Sequence, residues 1–328
     1  MHNLVCSFIA AAPDSTLYAL AASYQGPNFF DAFTWETFDD PTHGRVNYVD
    51  VSTARARNLS FASEDTFVMR TDAERVVQPG ARGRDSVRIR SRDTWEEGVY
   101  VLDVAHMPTG CATWPAFWTV TKGQWPAGGE IDIIEGVNLA THNVATLHTA
   151  PKCDMNTANR TQRGRAVSTD CDTNVNSNQG CGTMFVRSDS YGAEFNKNGG
   201  GYYVMERTSQ RVSVWFWGRN DSDIPDGIIT AGGSPPETTQ TMHGPTSAWG
   251  QPDAVFEFGA HCDYGAHFGP HSVVFDLTLC GDWAGTAFGN SGCGPSSCEA
   301  YVDNNPGAFT EAHWEINSLR IYVPDSDS

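Results

Sequence analysis

The chain reads as an all-β protein, a sandwich or jelly roll, on three observations. Many short segments alternate apolar and polar residues with a period of two, turn residues punctuate them at close intervals, and no long stretch carries a helical period. The composition agrees: 32 Gly, 10 Trp and 17 Phe among 328 residues, with 18% charged, suit a sheet-rich molecule with many turns and a stacking surface. That length could hold one large all-β domain or two average ones, and from Phe29 onward neither a linker nor a low-complexity segment divides it. A net charge of −18, with Arg and Lys in no dense cluster, makes nucleic acid a poor partner. No apolar run approaches the roughly 20 residues needed to span a bilayer.

The elements follow in order. Leu4 to Ala12 is apolar and Ala19-Leu20-Ala21 offers a small-residue cleavage site, so residues 1–21 are expected to be a secretory signal and 22–328 one domain. Pro13-Asp14-Ser15 interrupts the stretch, and no Lys or Arg precedes it. Removing it would remove Cys6 and leave Cys111, Cys153, Cys171, Cys181, Cys262, Cys280, Cys293 and Cys298. That even number fits four disulfides in an oxidising compartment, and the lack of a CxxC pair argues against zinc. Sequons at Asn58, Asn159 and Asn220 fit secretion.

Asp40 to Gly44 is a turn leading into a strand at Arg45–Val49, which sets Asn47 and Tyr48 at a strand end, either as ordinary surface residues or at the edge of a cleft. Ser86–Ser91 alternates, with Arg88 and Arg90 on one face; on a cleft they would hydrogen-bond hydroxyls or a carboxylate. Further strands are expected at Val99–Ala105, Val144–Thr149, Tyr202–Arg207, Val212–Trp217, Ala254–Phe258, Val273–Leu279 and His313–Val323. Trp215 and Trp217 share a face. Residues 151–201 read as long loops pinned by Cys153, Cys171 and Cys181.

The chemistry concentrates at Gly129–Gly136. Glu130 and Asp132 share one face of a strand while Ile131 and Ile133 share the other. Strict alternation would bury Glu135 on the isoleucine face without a partner, which is costly for a carboxylate. One extra residue at Ile133–Ile134, a β-bulge, returns Glu135 to the acidic face. Two carboxylates flanking a cleft are what glycosidic cleavage needs, and a third can hold one of them and help separate their pKa values. Alone, the motif fits an exposed acidic strand or a set of calcium ligands equally well. Its surroundings weigh for chemistry: Trp114, Trp118 and Trp125 lie just before it, His148 sits on the next strand, and Trp283 occupies a later loop.

These residues resemble glycoside hydrolase family 16, within it the fungal secreted endo-β-1,3(4)-glucanases or laminarinases. Besides GGEIDIIEGVN, the likeness runs through DPTHGRVNYVD, SVRIRS, TWPAFW, TLHT, NGGGYYVMERT, VWFWGRN, CGDWAG and YVDNNPGAF, roughly residues 30 to 323. The resemblance implies a curved, concanavalin-like jelly roll of two antiparallel sheets, with β-glucan lying along the concave one and cleavage with retention. It implies Glu130 as nucleophile, Asp132 as supporting carboxylate and Glu135 as general acid/base. It places Asn47, Tyr48, Arg88, Trp118, Trp125, His148 and Trp283 in the sugar subsites. No cofactor or metal is expected, and the partner is β-glucan, met by a secreted monomer without nucleic acid or membrane. A β-glucan transglycosylase would use the same carboxylates. A non-catalytic glucan-binding lectin would keep Trp118, Trp125 and Trp283 but would not need the acids. A short acidic tail after Pro324 disfavours a lipid anchor.

Overall fold

The period-two segments pair into two antiparallel sheets whose inner faces share one core. The computed structural model describes residues 16–156, 160–229, 240–245 and 247–325; residues 1–15 with Cys6, and the sequon at Asn159, lie outside them. A nine-stranded sheet runs β16 (Thr241–His243), β1 (Leu17–Tyr24), β19 (His313–Pro324), β8 (Gly98–His106), β14 (Gly201–Arg207), β15 (Arg211–Gly218), β17 (Ala254–Glu257). To it β5 (Phe67–Arg70) adds through β19, and β4 (Ser60–Ala62) through β5. An eight-stranded sheet runs β12 (Arg165–Ala166), β13 (Cys181–Met184), β11 (Val144–His148), β10 (Glu130–Glu135), β9 (Thr113–Thr121), β18 (His271–Leu279), β7 (Arg88–Ser91), β2 (Phe33–Trp35). A separate parallel pair joins β3 (Val46–Tyr48) to β6 (Arg84–Ser86). The fold is the expected curved all-β jelly roll.

Alternation decides which side chains meet. Ile131, Ile133, Phe117, Val273 and Phe275 from the eight-stranded sheet pack with Leu102, Val104, Tyr203, Met205, Phe216 and Leu319 from the nine-stranded one. Outside the nine-stranded sheet, Trp215 and Trp217 do share a face, and Tyr18, Tyr322 and Trp249 cover it with them. A third cluster, around Leu277, Leu279, Phe288 and Phe309, is stapled by Cys111–Cys293 and Cys280–Cys298. Cys153–Cys262 and Cys171–Cys181 pin the long loops. All eight expected cysteines are therefore paired.

Two differences from the sequence reading matter. The boundary expected after Ala21 falls inside β1, which pairs with β19 and β16; Tyr18 there is 1% exposed and donates to Glu206 at 3.0 Å. β9 is a nine-residue strand hidden from a periodicity argument, because apolar residues fill both of its faces and it contains Pro115. The longest α-helix among the described residues is Cys298–Asn304, and none is long and apolar enough to cross a membrane.

Candidate active site

The inferred bulge is present. Between β10 and β9, Asp132 pairs with Trp118 and Ile134 with Phe117, so Ile133 is the extra residue and both isoleucines are buried. The shift carries Glu135 back to the face of Glu130 and Asp132. All three carboxylates line a cleft of about 980 Å³ on the outer face of the eight-stranded sheet.

Tryptophans hold the two outer acids. Trp125 Nε1 donates to Glu130 Oε2 at 2.7 Å, and Trp114 Nε1 donates to Glu135 Oε1 at 2.8 Å. Trp118 donates instead to Asp276 Oδ2 at 3.2 Å. Arg88 stacks under Trp118, 4.9 Å from the ring centroid, and bonds Glu36 at 2.7 Å and Asp276 at 3.1 Å. Arg90 shares Glu36 at 3.1 Å. Trp283 meets Trp114 edge to face, with centroids 5.7 Å apart. His148 Nδ1 lies 2.9 Å from Asn178 Oδ1, and its Nε2 lies 3.4 Å from Asp132 Oδ2.

Burial sets the electrostatics. It pushes Glu130 up to about 7 against the pull of Trp125, Arg88 and Arg90. It pushes Glu135 up to about 7 as well, where Trp114 and His148 favour the charge but Glu130 and Asp276 oppose it. The two carboxyls titrate as a pair, with the guanidinium groups of Arg88 and Arg90 on the Glu130 side. Burial first, then the neighbouring Glu130, Glu135 and Asp276, hold Asp132 well above the carboxylate range. Burial lowers the pKa of His148, which favours neutral imidazole. The donor atoms of Glu130, Asp132 and His148 lie within 4.8 Å of one another, and Asp132 Oδ2 has no hydrogen-bond partner. These are ligand types a divalent cation accepts.

Arg88, Trp118, Trp125, His148 and Trp283 line the cleft with the three acids. Asn47 and Tyr48 do not. β3 pairs with β6 and not with a cleft strand; Asn47 donates to Asp85 within that pair, and Tyr48 is buried behind the cleft wall, 2% exposed. Sequence reasoning missed Asp276, Glu36, Asn178 and Asn143. Asp276 had a signal, a lone acid in the apolar run Val273–Leu279. The other three carried none.

Fold and site together define a jelly-roll glycoside hydrolase. A family model described as XgeA-like, catalytic GH16 domain matches residues 33–322. The chain is 41% identical to a probable glycosidase of Schizosaccharomyces pombe over 93% of its own length and 69% of that protein's. It is also 41% identical to a probable endo-1,3(4)-beta-glucanase of Aspergillus fumigatus, over 98% of its length but only 48% of that relative's. The solved laminarinase 16A of Phanerochaete chrysosporium, with beta-glucans in donor and acceptor sites, superposes with a TM-score of 0.87 at 48% identity, covering 93% of this chain and 99% of that one. An elongating family 16 beta-1,3-glucosyltransferase superposes with a TM-score of 0.82 at 36% identity, covering 93% and 100%. The chain belongs to glycoside hydrolase family 16.

Proposed function

We propose that this protein is an endo-acting, retaining glycoside hydrolase that cleaves internal β-1,3 and mixed β-1,3/1,4 linkages of glucans such as laminarin and lichenan. The observation that carries this reading is the bulged β10, which sets Glu130, Asp132 and Glu135 on one cleft face among Trp114, Trp118, Trp125 and Trp283. Sugar rings stack on the exposed indoles, with Trp125 47% and Trp283 36% exposed. Glu130, ionised beside Arg88 and Arg90, attacks the anomeric carbon. Glu135 gives its proton to the leaving oxygen, then takes one from the water that releases the sugar from Glu130. Asp132 lies between them on β10 and supports Glu130. A lectin has no use for three acids desolvated in this way. Four disulfides support a secreted protein.

Transfer to a second glucan in place of water is the alternative outcome of the same intermediate, and the similarity to an elongating glucosyltransferase favours keeping it in view. Incubation with unbranched β-1,3-glucan, branched laminarin and mixed-linkage glucan tests both readings. Shortened oligosaccharides, appearing first as β-anomers by proton NMR, are expected. Products longer than the substrate would make transfer the main reaction, and a first-formed α-anomer would overturn retention.

A further inference from the structure

A bulge leaves backbone groups without their ladder partners. β10 pairs with β11 only from Glu130, opposite His148, to Asp132, opposite Thr146. Beyond that point the Ile133 carbonyl and the Glu135 N–H need partners elsewhere. Asn143, the residue just before β11, supplies both: its Nδ2 donates to Ile133 O at 2.8 Å, and its Oδ1 accepts from Glu135 N at 3.0 Å. A side-chain amide offers a donor and an acceptor side by side, as a peptide does, so it stands in for the missing rung.

Asn143 is itself held. It is fully buried; its N–H donates to Ser190 Oγ at 3.1 Å, and its carbonyl accepts from Phe185 N at 2.9 Å. Ser190 Oγ donates onward to Arg187 O at 2.6 Å. Just after Glu135, the Tyr191 ring lies 2.7 Å from where a Cβ on Gly136 would stand, so the backbone there packs directly against that ring. Asn143 does not line the cleft.

We propose that Asn143 is a positioning residue for Glu135, locking the bulge and thereby the reach of the acid/base carboxyl while never meeting substrate. The inference rests on the acid/base role given to Glu135 above. A misplaced acid harms substrates with a poor leaving group most, because a leaving group that departs unprotonated does not need it.

Turnover of laminarin and of an aryl β-laminarioligoside with a dinitrophenolate leaving group, each normalised to folded protein by near-UV circular dichroism, tests it for Asn143→Ala, Asn143→Asp, Ser190→Ala and Glu135→Gln. Asn143→Ala is expected to lower kcat on laminarin about 10²-fold, the scale of a small misplacement, with KM nearly unchanged and a far smaller loss of kcat/KM, which reports glycosylation, on the aryl substrate. Asn143→Asp keeps the acceptor for Glu135 N and Ser190→Ala loosens only the anchor, so both should show the same bias more weakly. They carry the test if Asn143→Ala does not fold. Equal losses of kcat/KM on both substrates, or none, while Glu135→Gln spares kcat/KM for the aryl substrate (its glycosyl-enzyme still forming with a dinitrophenolate burst), would overturn the positioning role alone. If Glu135→Gln shows no leaving-group dependence, the acid/base assignment fails and this inference goes with it.

Discussion

Glu130 and Glu135 sit in similarly desolvated places, yet their neighbours differ in sign. Glu130 has Arg88 and Arg90 at hand; Glu135 faces Glu130 and Asp276. Glu130→Ala should abolish turnover on every substrate, with azide restoring it from the nucleophile's side to give inverted product. Glu135→Ala should still form the glycosyl-enzyme from activated substrates, with azide giving retained product; proton NMR reads both. The pH profile follows the same pair. Activity falls at low pH as Glu130 takes a proton and at high pH as Glu135 loses its own, so both limbs of kcat/KM should lie above the ordinary carboxylate range, displaced toward about 7. Glu135→Gln should remove the upper limb; a profile centred near 4.5 in the wild type would refute the desolvation argument. Trp125, 47% exposed, should cost about 1–3 kcal/mol of glucan binding when changed to Ala, by analogy with aromatic stacking platforms for other rings, with an unchanged melting temperature.

At the scale of the element, β1 and the loop between Cys171 and Cys181 carry opposite expectations. A chain starting at Ala22 loses Tyr18, deletes the pairing with β16 and leaves Glu206 without its donor. Emptying one large aromatic site costs about 3–5 kcal/mol, so that protein should unfold at much lower urea than one starting at Thr16. Equal midpoints would show β1 to be dispensable. Cys181 to Met184 form the neighbour of β11, and Asn178, in the loop before it, bonds His148. Replacing Cys171 and Cys181 by Ser should therefore reduce activity more than stability. By loop-closure entropy a closure of 10 residues is worth about 3 kcal/mol and one of 182 about 5. Losing Cys111–Cys293 should show the reverse balance in paired melting and activity measurements.

For the whole molecule, the buried acids link catalysis to stability. A carboxyl raised from 4.5 to about 7 favours the folded state while it stays protonated; that contribution is complete below the unfolded value and fades as pH rises through the folded one. Glu130, Glu135 and Asp276 all act in this direction. Asp189, held low by Arg187, acts in the other. The melting temperature should fall as pH rises from the ordinary carboxylate range past about 7, and Glu135→Gln should flatten the fall and raise stability at neutral pH. A wild-type curve that climbs through that window would contradict the sign.

Most of the fold and the heart of the site were legible because they rest on local rules. Period-two alternation marked most of the long strands, and the cost of burying Glu135 required a bulge at Ile133–Ile134, where the pairing of β10 with β9 shows it. The sequence by itself determined an all-β chain with three carboxylates facing one way. What it left open comes from residues distant along the chain. Asp276 reaches Trp118 across 158 positions and Arg88 across 188, and Asn178 reaches His148 across 30. Asn143 is close in sequence, but only the divergence of β11 from β10 shows which backbone groups it must serve. Asn47 is taken up by Asp85 because β3 pairs with β6, Tyr48 is buried behind the cleft wall, and β1 holds its place because β19 and β16 flank it. Alternation states which way a side chain points from its strand; only the packing of sheets states what it meets there, and desolvation by that packing is what moves the cleft carboxyls toward neutral pH.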